Sequence, residues 1–505
     1  MTLIQLGKST ASARNHSMKN NLLWILIGLI TFTQAENRKP NIIVIIGDDV
    51  GYGDFSANGS SAISTPHMDR LAKEGIRFTS GYCSASTCTP TRYSLHTGVY
   101  AFREKNTGIA PPDGPAIIPA NTVTVASLLK DAGYRTAAIG KWHLGLGENR
   151  PDWNGELKPG PLEIGYDQCL LLPTTNDRVP QVYVENHRVR NLDPQDPLWI
   201  GKEKPSPDHP TGVTHRDTLF MDWSHDHNQT IHNGVSRIGF YTGGKAARFR
   251  DQDLTDEWVK SCHQFITENK NQPFFLYYAS HSIHVPRLPH ERFLGKSGHG
   301  PRGDSLLEFD WSVGEIMKAV EDNKLSNDTL IILCSDNGPV LDDGYKDDAV
   351  TKLGKHQPSG PFRGGKYSVF EGGTRTPFIT RWSGKIKPAV SDAPVSTVDF
   401  AASFAALAGI SVPQGACRDS VNILPNLLGE TNSPIRDHIL QQDNNGKAFG
   451  LRVGAWKLVR EKMDKQSQLY NLKQDPQEKN NLAQSNPEQL KIMNDRLEQI
   501  LAKKK

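Results

Sequence analysis

The chain has 505 residues, which is too long for one ordinary domain of roughly 100–200 residues. Its 58 basic and 55 acidic side chains give a net charge of +3, too balanced for a protein that binds nucleic acid by charge. Mean hydropathy is -0.51, and no apolar run approaches the length of about 20 residues that a membrane span needs. We therefore expect a soluble globular protein with one large domain and a smaller companion.

An apolar run lies near the N-terminus, at residues 22–32. Lys19 precedes this run, and Thr33-Gln34-Ala35 follows it, which is the arrangement of a secretory signal peptide. A membrane anchor and a buried helix are the alternatives, but the run is short for a membrane span. We expect residues 1–35 to be a signal peptide and the protein to be exported, either periplasmic or secreted, with no stable membrane span.

Short apolar runs alternate with helical patterns from residue 41 onward, which is typical of βαβ units. The pattern predicts strands at 41–46, 135–139, 273–279, 329–334 and 376–382. It predicts helices at 66–74, 121–131, 254–269, 305–323 and 397–407. We expect an α/β fold in which a large, central, mostly parallel mixed sheet is flanked by helices.

From about residue 430 the pattern changes to that of a smaller C-terminal α+β subdomain with an antiparallel sheet. Residues 448–452 and 455–460 predict a hairpin, and 487–505 predict a closing helix. Between 151 and 250 the pattern is broken, and a stretch that long is typical of a functional excursion. We expect a main domain at 36–425, with 151–250 shaping the substrate site, and a subdomain at 426–505.

Two acidic segments directly follow predicted strands. Asp48 and Asp49 follow the strand at 41–46, and Asp336 and Asn337 follow the strand at 329–334. Ligands of open α/β sheets bind beyond the carboxyl ends of the strands, and hard oxygen ligands suit calcium or magnesium. Each segment alone is also typical of a turn. Together they predict a metal site.

The segment CTPTRYSLHTG at 88–98 has an uncommon spacing. Pro90 predicts a helix that begins close to it, with Cys88 just outside the helix. A group at that position faces backbone N–H donors and the positive end of the helix dipole, which suits a tetrahedral anion. A plain thiol would be an odd nucleophile beside an oxygen-binding metal. The alternative is a structural cysteine.

These motifs resemble those of the type I sulfatases, a family of the alkaline-phosphatase superfamily. Its signature C-x-P-x-R-x-x-L-x-T-G is matched by Cys88, Pro90, Arg92, Leu95, Thr97 and Gly98. In that family a maturation enzyme oxidises the cysteine to Cα-formylglycine, and the hydrate of this aldehyde is the nucleophile. The commoner form of the signature has Ser where this chain has Thr91. The resemblance extends from Pro40 to the C-terminal hairpin.

The resemblance also implies a metal site and a set of cations around the nucleophile. The implied calcium ligands, with magnesium as the alternative ion, are Asp48, Asp49, Asp336, Asn337 and the oxygen of a formylglycine formed from Cys88. Arg92 would help to neutralise the sulfuryl oxygens. The segment GKWHLG at 140–145 matches a family motif, so Lys141 would bridge formylglycine and sulfate, and His143 would orient or deprotonate the hydrate.

Two further family positions concern the sulfate ester. His284 matches the histidine that contacts the ester, and Lys366, in the segment 364–366, matches the lysine that binds sulfate. One of these two residues would protonate the departing alcohol. The resemblance therefore implies a sulfuric ester hydrolase.

The substrate is expected to be set by the excursion at 151–250. Thr175, Asp177 and Arg178 occupy a loop that related enzymes have at the rim of the sulfate site, which makes them candidate substrate contacts. Four further polar residues of this segment are His215, His225, His227 and Arg237. The alternative is that these side chains merely stabilise a long loop.

The resemblance implies a sulfated carbohydrate, or another sulfate ester, as the substrate, and a formylglycine-generating enzyme as the partner in maturation. One alternative is a phosphonate monoester or phosphodiester hydrolase with the same nucleophile. A second alternative is an inactive protein that binds sulfated glycans, if Cys88 is never oxidised.

The six cysteines lie at positions 83, 88, 169, 262, 334 and 417. Their spacing is neither that of a disulfide scaffold nor that of a zinc site. One or two disulfides are compatible with the sequence, and Cys334 lies in an apolar run typical of a buried thiol. With Cys88 set apart, five cysteines remain, so at least one of these should stay unpaired.

Overall fold

The computed structural model describes residues 38–201, 210–462 and 465–502. The predicted signal peptide at 1–35 lies outside these ranges, so the signal peptide and export stay predictions. Within the same ranges, no helix combines the length and the apolar character that crossing a bilayer requires.

The strands and helices of these ranges follow the alternating order that the sequence predicts. In chain order the strands are β1 (Asn41–Gly47), β2 (Ile76–Phe78), β3 (Gly81–Tyr82), β4 (Arg135–Lys141), β5 (Gln168–Leu172), β6 (Val184–Glu185), β7 (Arg188–Val189), β8 (Trp199–Gly201), β9 (Ile231–His232), β10 (Val235–Ser236), β11 (Phe240–Thr242), β12 (Phe274–Ala279), β13 (Thr329–Ser335), β14 (Ile379–Arg381), β15 (Ala389–Ser391), β16 (Val395–Ser396), β17 (Ile439–Gln442), β18 (Phe449–Val453), β19 (Trp456–Arg460) and β20 (Gln468–Asn471). The α-helices are α1 (Pro66–Lys73), α2 (Cys88–Thr97), α3 (Val125–Asp131), α4 (Leu254–Glu268), α5 (Gly300–Asp322), α6 (Glu371–Thr374), α7 (Phe400–Leu407), α8 (Leu424–Leu427) and α9 (Pro487–Ala502).

A ten-stranded mixed sheet forms the centre of the described chain, in the order β15-β2-β14-β13-β1-β12-β4-β5-β6-β7. The five strands from β13 to β5 in this order are parallel, and β14 and β6 continue the sheet antiparallel on either side. The predicted α/β fold with a mostly parallel mixed sheet is confirmed.

The side chains of β1 point alternately into two hydrophobic cores, which explains why the strand is a continuous apolar run. Ile42, Val44 and Ile46 face the core that α3 and α7 cover, whereas Ile43 and Ile45 face the core covered by α1, α4 and α5. All seven residues of β1 are buried. Helices on both faces thus hold the strand ends at a fixed position.

Three predicted helices differ from the observed ones at their beginnings. The helix predicted from residue 397 begins at Phe400, because a 3-10 turn at Thr397–Asp399 precedes it. The helix predicted from residue 121 begins at Val125, because Thr124 caps it and accepts a hydrogen bond from the Ser127 N–H at 3.1 Å. The helix predicted from residue 305 begins at Gly300, and Pro301 stands in its first turn, where a missing N–H costs nothing. The predicted strand 376–382 is shorter and spans only β14.

The C-terminal sheet is antiparallel, in the order β17-β18-β19-β20, and α9 packs against it. Leu451, Leu458 and Leu469 of the sheet form one apolar cluster with Met493 and Leu497 of α9. The predicted hairpin is β18 and β19, and the predicted antiparallel sheet is confirmed. The domain boundary at 425/426 stays a prediction.

The segment 151–250 contains more regular structure than the sequence indicates. It contributes β5, β6 and β7 to the main sheet and forms two small two-stranded sheets, β8 with β11 and β9 with β10. These strands are only two to five residues long, which is why no periodicity marks them in the sequence.

All six cysteines lie in the described ranges, and each is buried and unpaired there. The disulfides that the sequence would permit are therefore not formed in this structure. Cys334 lies in β13 with 2% exposure, so the predicted buried thiol is confirmed.

Candidate active site

Polar side chains meet at the carboxyl edge of the parallel strands. They are Asp48 and Asp49 after β1, Asp336 and Asn337 after β13, His284 after β12, and Lys141 and His143 at the end of β4. Since β13, β1, β12 and β4 are neighbours in the sheet, their carboxyl ends bring these residues together. The first and last amino acids of this group are 289 positions apart in the chain.

Carboxylate and amide oxygens form a buried cluster between β1 and β13. The Asn337 amide donates to Oδ1 of Asp49 at 2.7 Å, and the Asp49 N–H lies 3.3 Å from Oδ1 of Asp336. Among the described residues, Oδ1 of Asp48 and Oδ1 of Asn337 are buried without a hydrogen-bond partner. Two unsatisfied oxygens in one cluster are typical of a site that binds a cation.

Three cationic side chains surround this oxygen cluster. Arg92 donates through Nη2 and Nε to Oδ2 of Asp336 at 2.8 and 3.1 Å, and Lys141 pairs with Asp48. Lys366 lies 3.0 Å from Asp49. Every one of these side chains is almost completely buried. The cations therefore balance three carboxylates at the floor of the site.

Burial dominates the electrostatics of the carboxylates. Desolvation and the neighbouring Asp336 raise the pKa of Asp48 well above its usual range, although Lys141 lowers it. Desolvation also raises the pKa of Asp49, against the effect of Lys366. Burial lowers the pKa of Lys366, but the carboxylates of Asp343 and Asp49 together have the larger effect. The net result is a pKa well above the usual range, so the side chain stays an ammonium ion. Additional positive charge would stabilise the ionised carboxylates.

Cys88 is the first residue of α2, and Thr87 is its N-cap. The prediction that Cys88 lies just outside the helix is therefore wrong by one position, because Thr87 already takes the extended cap conformation. Sγ of Cys88 and the carboxylate oxygens of Asp48 and Asp336 lie within 4.8 Å of one another. Burial raises the pKa of the Cys88 thiol, against the effect of Lys141 and Lys366. An unmodified thiol here stays protonated and is a poor nucleophile.

Two histidines flank Cys88, and each presents one ring nitrogen without a proton. Nε2 of His143 lies 3.2 Å from the Ala110 carbonyl, and its Nδ1 is buried with no partner among the described residues. Nδ1 of His284 lies 2.7 Å from the Val285 carbonyl. Desolvation, with Lys141 as a further cause, lowers the pKa of both histidines well below the usual range. Neutral rings that donate to carbonyls keep Nδ1 of His143 and Nε2 of His284 as proton acceptors.

A cavity of about 280 Å³ opens onto these groups. Its lining includes Cys88, His143, His284, Lys366, Asp177, Arg178, His225, Asp226, His227, Asp343 and Tyr367. Ile109 and Ile238 supply the apolar part of the lining. A concave, polar pocket with a cysteine at one side suits a small anionic group attached to a polar molecule.

The excursion at 151–250 supplies one wall of this cavity. Asp177 accepts a hydrogen bond from Nε2 of His227 at 3.0 Å and pairs with Arg178 at 3.2 Å. Burial raises the pKa of Asp177, but Arg178 and the hydrogen bond from His227 together lower it well below its usual range. Thr175 is fully buried behind Asp177, to which it donates a hydrogen bond, and it does not line the cavity.

Two other polar residues of the excursion do not reach the cavity. His215 is exposed and lies 2.8 Å from the Thr214 hydroxyl. Arg237 is buried and pairs with Asp251 at 2.7 Å, which is a structural ion pair. His215 and Arg237 therefore fit the alternative given above, in which polar side chains of the segment 151–250 stabilise a long loop.

Asp343 and Tyr367 also line the cavity, and neither was predicted from the sequence. Asp343 lies 2.8 Å from Lys366 and accepts a hydrogen bond from the Tyr367 hydroxyl at 3.0 Å. The sequence signals were an Asp-Asp-Gly turn at 342–344 and the position of Tyr367 directly after Lys366. Neither signal is specific without the fold.

Three residues of the site have a left-handed backbone, with φ of +62° at Asp49, +56° at His143 and +73° at Tyr367. This conformation costs an L-amino acid with a side chain roughly 1–2 kcal/mol relative to the right-handed region. Such strain concentrates at functional sites. The site is also closely packed, because a side chain at Gly338 would begin only 1.9 Å from the Gly372 carbonyl oxygen.

The oxygen cluster fits a hard divalent cation such as Ca²⁺. Asp48, Asp49, Asp336 and Asn337 offer carboxylate and amide oxygens, which are the ligands that Ca²⁺ and Mg²⁺ prefer. The two unsatisfied oxygens of Asp48 and Asn337 lie in this same cluster. A thiol at position 88 would be a soft ligand, whereas an oxygen-bearing group there would match the rest of the donor set.

Comparison with known protein families identifies two matching regions. The family model described as Sulfatase matches residues 40–410, which is more than half of the chain. The family model described as N-sulphoglucosamine sulphohydrolase, C-terminal, matches residues 364–505.

Individual relatives extend over almost the whole chain. An N-acetylgalactosamine-6-O-sulfatase of Bacteroides thetaiotaomicron is 44% identical over 510 aligned positions, covering 96% of this chain and 99% of that protein. Human arylsulfatase A is 32% identical over 429 positions, covering 84% of this chain and 75% of its own. A solved structure described under the metabolism of multiple glycosaminoglycans by Bacteroides thetaiotaomicron has a TM-score of 0.90 and 45% identity, covering 92% of this chain and 99% of that one.

Proposed function

The chain belongs to the sulfatase family and is a sulfuric ester hydrolase, and we propose that it removes sulfate from a sulfated carbohydrate. We further propose that the sugar is a 6-O-sulfated N-acetylgalactosamine or a close relative of it. The 44% identical relative that bears this activity in its name supports the choice, since the match covers 99% of that protein. The proposed nucleophile is position 88 in its Cα-formylglycine form, made by a formylglycine-generating enzyme.

The observation that carries this proposal is the location of Cys88 at the N-terminus of α2, beside the buried cavity. Sγ lies within 4.8 Å of carboxylate oxygens of Asp48 and Asp336, and Lys141 pairs with Asp48. A formylglycine hydrate at this position would supply a hydroxyl nucleophile that a buried, protonated thiol does not offer. The N-terminus of α2 adds a positive potential that favours an anionic substrate group.

We propose that Asp48, Asp49, Asp336 and Asn337 hold a calcium ion, or a magnesium ion as the alternative. When bound, the ion supplies Lewis-acid stabilisation of the sulfuryl oxygens. Asp336 also accepts two hydrogen bonds from Arg92. Arg92 therefore holds the carboxylate in one orientation and adds positive charge behind the nucleophile.

The remaining residues would divide the work between binding and proton transfer. Lys141 pairs with Asp48 and Lys366 with Asp49, and both would bind sulfuryl oxygens, where each such contact is worth a few kcal/mol. Nδ1 of His143 would accept the proton of the attacking hydroxyl. Lys366, as an ammonium ion, would give a proton to the departing sugar oxygen, and His284 could share this role only in a state in which Nε2 has first taken up a proton. Asp177 and Arg178, on the other wall, would bind hydroxyl groups of the sugar, with Thr175 holding Asp177 from behind.

The test uses the chain co-expressed with a formylglycine-generating enzyme and a panel of sulfated saccharides. We expect sulfate release from 6-O-sulfated N-acetylgalactosamine, and slower turnover of phenyl phosphonate monoesters. Cys88→Ala should reduce turnover to background while the melting temperature is retained. Cys417→Ala removes a buried thiol outside the cavity and should stay active.

Three results would contradict the proposal. An active Cys88→Ala variant would exclude position 88 as the nucleophile. A faster reaction with phosphonate monoesters than with any sulfate ester would favour the alternative hydrolase activity. Binding of sulfated saccharides by a chain whose Cys88 stays unoxidised, with no sulfate released, would instead indicate a binding protein.

A further inference from the structure

Tyr367 is an unusual residue at the rim of the cavity. Its φ of +73° lies in the left-handed region, which glycine adopts freely and which is rare for an aromatic residue. Among the described residues it is also one of three aromatic side chains with high exposure, at 48%. Neither feature is explained by packing in a hydrophobic core. The strained backbone and the exposed ring point to a role in the cavity.

Three contacts, one from the backbone and two from the side chain, hold Tyr367 in this position. The Tyr367 N–H donates to the Ser86 carbonyl at 2.8 Å, and its hydroxyl donates to Oδ1 of Asp343 at 3.0 Å. Nζ of Lys366 lies 5.5 Å from the ring centroid. Burial raises the pKa of Tyr367, although Lys366 lowers it, so the hydroxyl remains a donor. The ring is therefore held at both ends while much of it stays open to solvent.

The cavity thus has an aromatic residue at its rim and a polar wall made by the ion pair of Asp177 and Arg178 together with His227. A pyranose ring has apolar C–H faces and a rim of hydroxyl groups. An exposed aromatic ring suits the C–H face, and charged side chains suit the hydroxyl groups. The sulfate group itself is expected deeper in the cavity, near Cys88 and Lys366.

We propose that the ring of Tyr367 is the stacking surface for the sugar ring of the substrate. The inference rests on the proposed function, because it assigns a further substrate-binding residue to that same site. Binding of the sugar then depends on the aromatic ring itself, and the hydroxyl orients this ring through its hydrogen bond to Asp343.

The test compares Tyr367→Gly with Tyr367→Phe on the matured enzyme. Glycine removes the ring and also relieves the left-handed backbone, so this variant should fold with an equal or higher melting temperature. We expect Tyr367→Gly to raise KM for the sulfated saccharide by roughly tenfold or more, with kcat within about threefold. Tyr367→Phe keeps the ring and should stay within about threefold of the wild-type KM.

Inhibition by inorganic sulfate separates the sugar site from the sulfate site. Its inhibition constant should be the same in the wild type and in Tyr367→Gly, because sulfate alone makes no contact with the stacking surface. Phe220→Ala is the matched control, since Phe220 is 73% exposed and does not line the cavity. It should leave KM unchanged.

Several outcomes would overturn the inference. The first is an unchanged saccharide KM in Tyr367→Gly. The second is an equal loss in the Phe and Gly variants, which would assign the effect to the hydroxyl. The third is a matching loss of inhibition by inorganic sulfate, which would assign it to Lys366. A wild-type enzyme that hydrolyses aryl sulfates but no saccharide would instead refute the proposed substrate class.

Discussion

The ammonium group of Lys366 lies 3.0 Å from the Asp49 carboxylate, and both side chains are buried. The pair joins the proposed sulfate-binding lysine to the proposed metal ligands. The pair also balances part of the negative charge of the site, because Asp48, Asp49 and Asp336 lie in one buried cluster. Burial keeps the pKa of Asp48 and of Asp49 raised even beside these cations, so a bound divalent cation should stabilise the folded protein.

We accordingly expect Ca²⁺ to raise the melting temperature. A ligand that binds only the folded state stabilises it in proportion to the logarithm of its concentration above Kd. Protein treated with a chelator and then supplied with millimolar Ca²⁺ should melt several degrees higher than the chelated protein. Differential scanning fluorimetry over a calcium titration measures the effect.

Two variants make this prediction specific. Asp336→Asn removes one proposed ligand charge and should abolish most of the calcium-dependent shift. Asp310→Asn is the matched control, because Asp310 is also a buried carboxylate but accepts hydrogen bonds from the N–H groups of His67 and Met68 on α1. If the melting temperature of the wild type is the same with and without calcium, the metal assignment is refuted.

A second buried ion cluster holds the loop that leads to Lys366. Arg302 donates to both carboxylate oxygens of Asp54 at 2.7 Å, and Nε2 of His356 lies 2.7 Å from Oδ1. Burial raises the pKa of Asp54, but Arg302 and His356 lower it to about 2. Asp54 lies shortly after β1, and His356 lies ten positions before Lys366. The cluster therefore fastens this loop to the segment that follows the metal ligands.

We expect Arg302→Leu to destabilise the protein by about 3–5 kcal/mol, because it leaves a buried carboxylate without its main partner. Urea denaturation followed by fluorescence should show the shift in midpoint. Lys318→Ala breaks an exposed pair with Asp322 and should change the free energy of unfolding by less than about 0.5 kcal/mol. Similar midpoints for the two variants would show that the cluster does not stabilise the fold.

The strand ends of this site could be predicted from the sequence, since β1 and β13 are continuous apolar runs that end in acidic residues. The cavity wall could not. Asp177, Arg178 and His227 come from a segment whose strands are two to five residues long. The pairing of β5 with β4, which directs this segment to the carboxyl edge of the sheet, joins residues about 30 positions apart and has no local signal. Asp343 and Tyr367 were missed for a related reason, because their roles depend on a loop held by tertiary contacts.

The helix boundaries depend more on local signals. The N-terminus of α1 has no side-chain hydrogen bond from its own cap, Thr65, and is capped instead by Asp310 of α5, 242 residues away from Met68. The helix was nevertheless predicted from the residue where it begins, because a proline in the first turn marks the start locally. The apolar periodicity of α4 depends on local spacing alone, and this helix was predicted to within one residue at its C-terminus.

A third buried cluster predicts a dependence of stability on pH. Glu478 accepts a hydrogen bond from the Glu371 N–H at 2.8 Å and lies 3.9 Å from Lys457. Burial and the nearby Glu371 carboxylate raise the pKa of Glu478 to about 7, although the Lys457 ammonium group lowers it. Between pH 4.5, the ordinary pKa of a glutamate, and about pH 7, the folded state therefore keeps a proton on Glu478 that the unfolded state has released. This contribution to stability is complete below pH 4.5 and is lost as the pH rises through 7.

Glu478→Gln keeps an acceptor oxygen but never ionises. We expect it to match the wild type near pH 5 and to exceed it in stability near pH 8, by up to about 3 kcal/mol. Melting temperatures measured at both pH values give the comparison. Glu430→Gln, at an exposed position, is the control and should show no pH-dependent difference. An equal effect of Glu478→Gln at both pH values would contradict the prediction.

The number of thiols provides the final prediction, because all six cysteines are unpaired and buried in the structure. Burial raises the pKa of Cys417 to about 11 and raises those of Cys83, Cys169, Cys262 and Cys334 as well. The folded protein should therefore react slowly with thiol reagents.

After denaturation without a reductant, the matured chain should titrate five thiols, which is six minus the converted Cys88. Intact mass should lie about 18 Da below that of the unmodified chain. The chain expressed without the maturation enzyme should titrate six thiols, and Cys88→Ala five. Six thiols in an active preparation would refute the conversion of Cys88, whereas fewer than five would reveal disulfides that the structure does not contain.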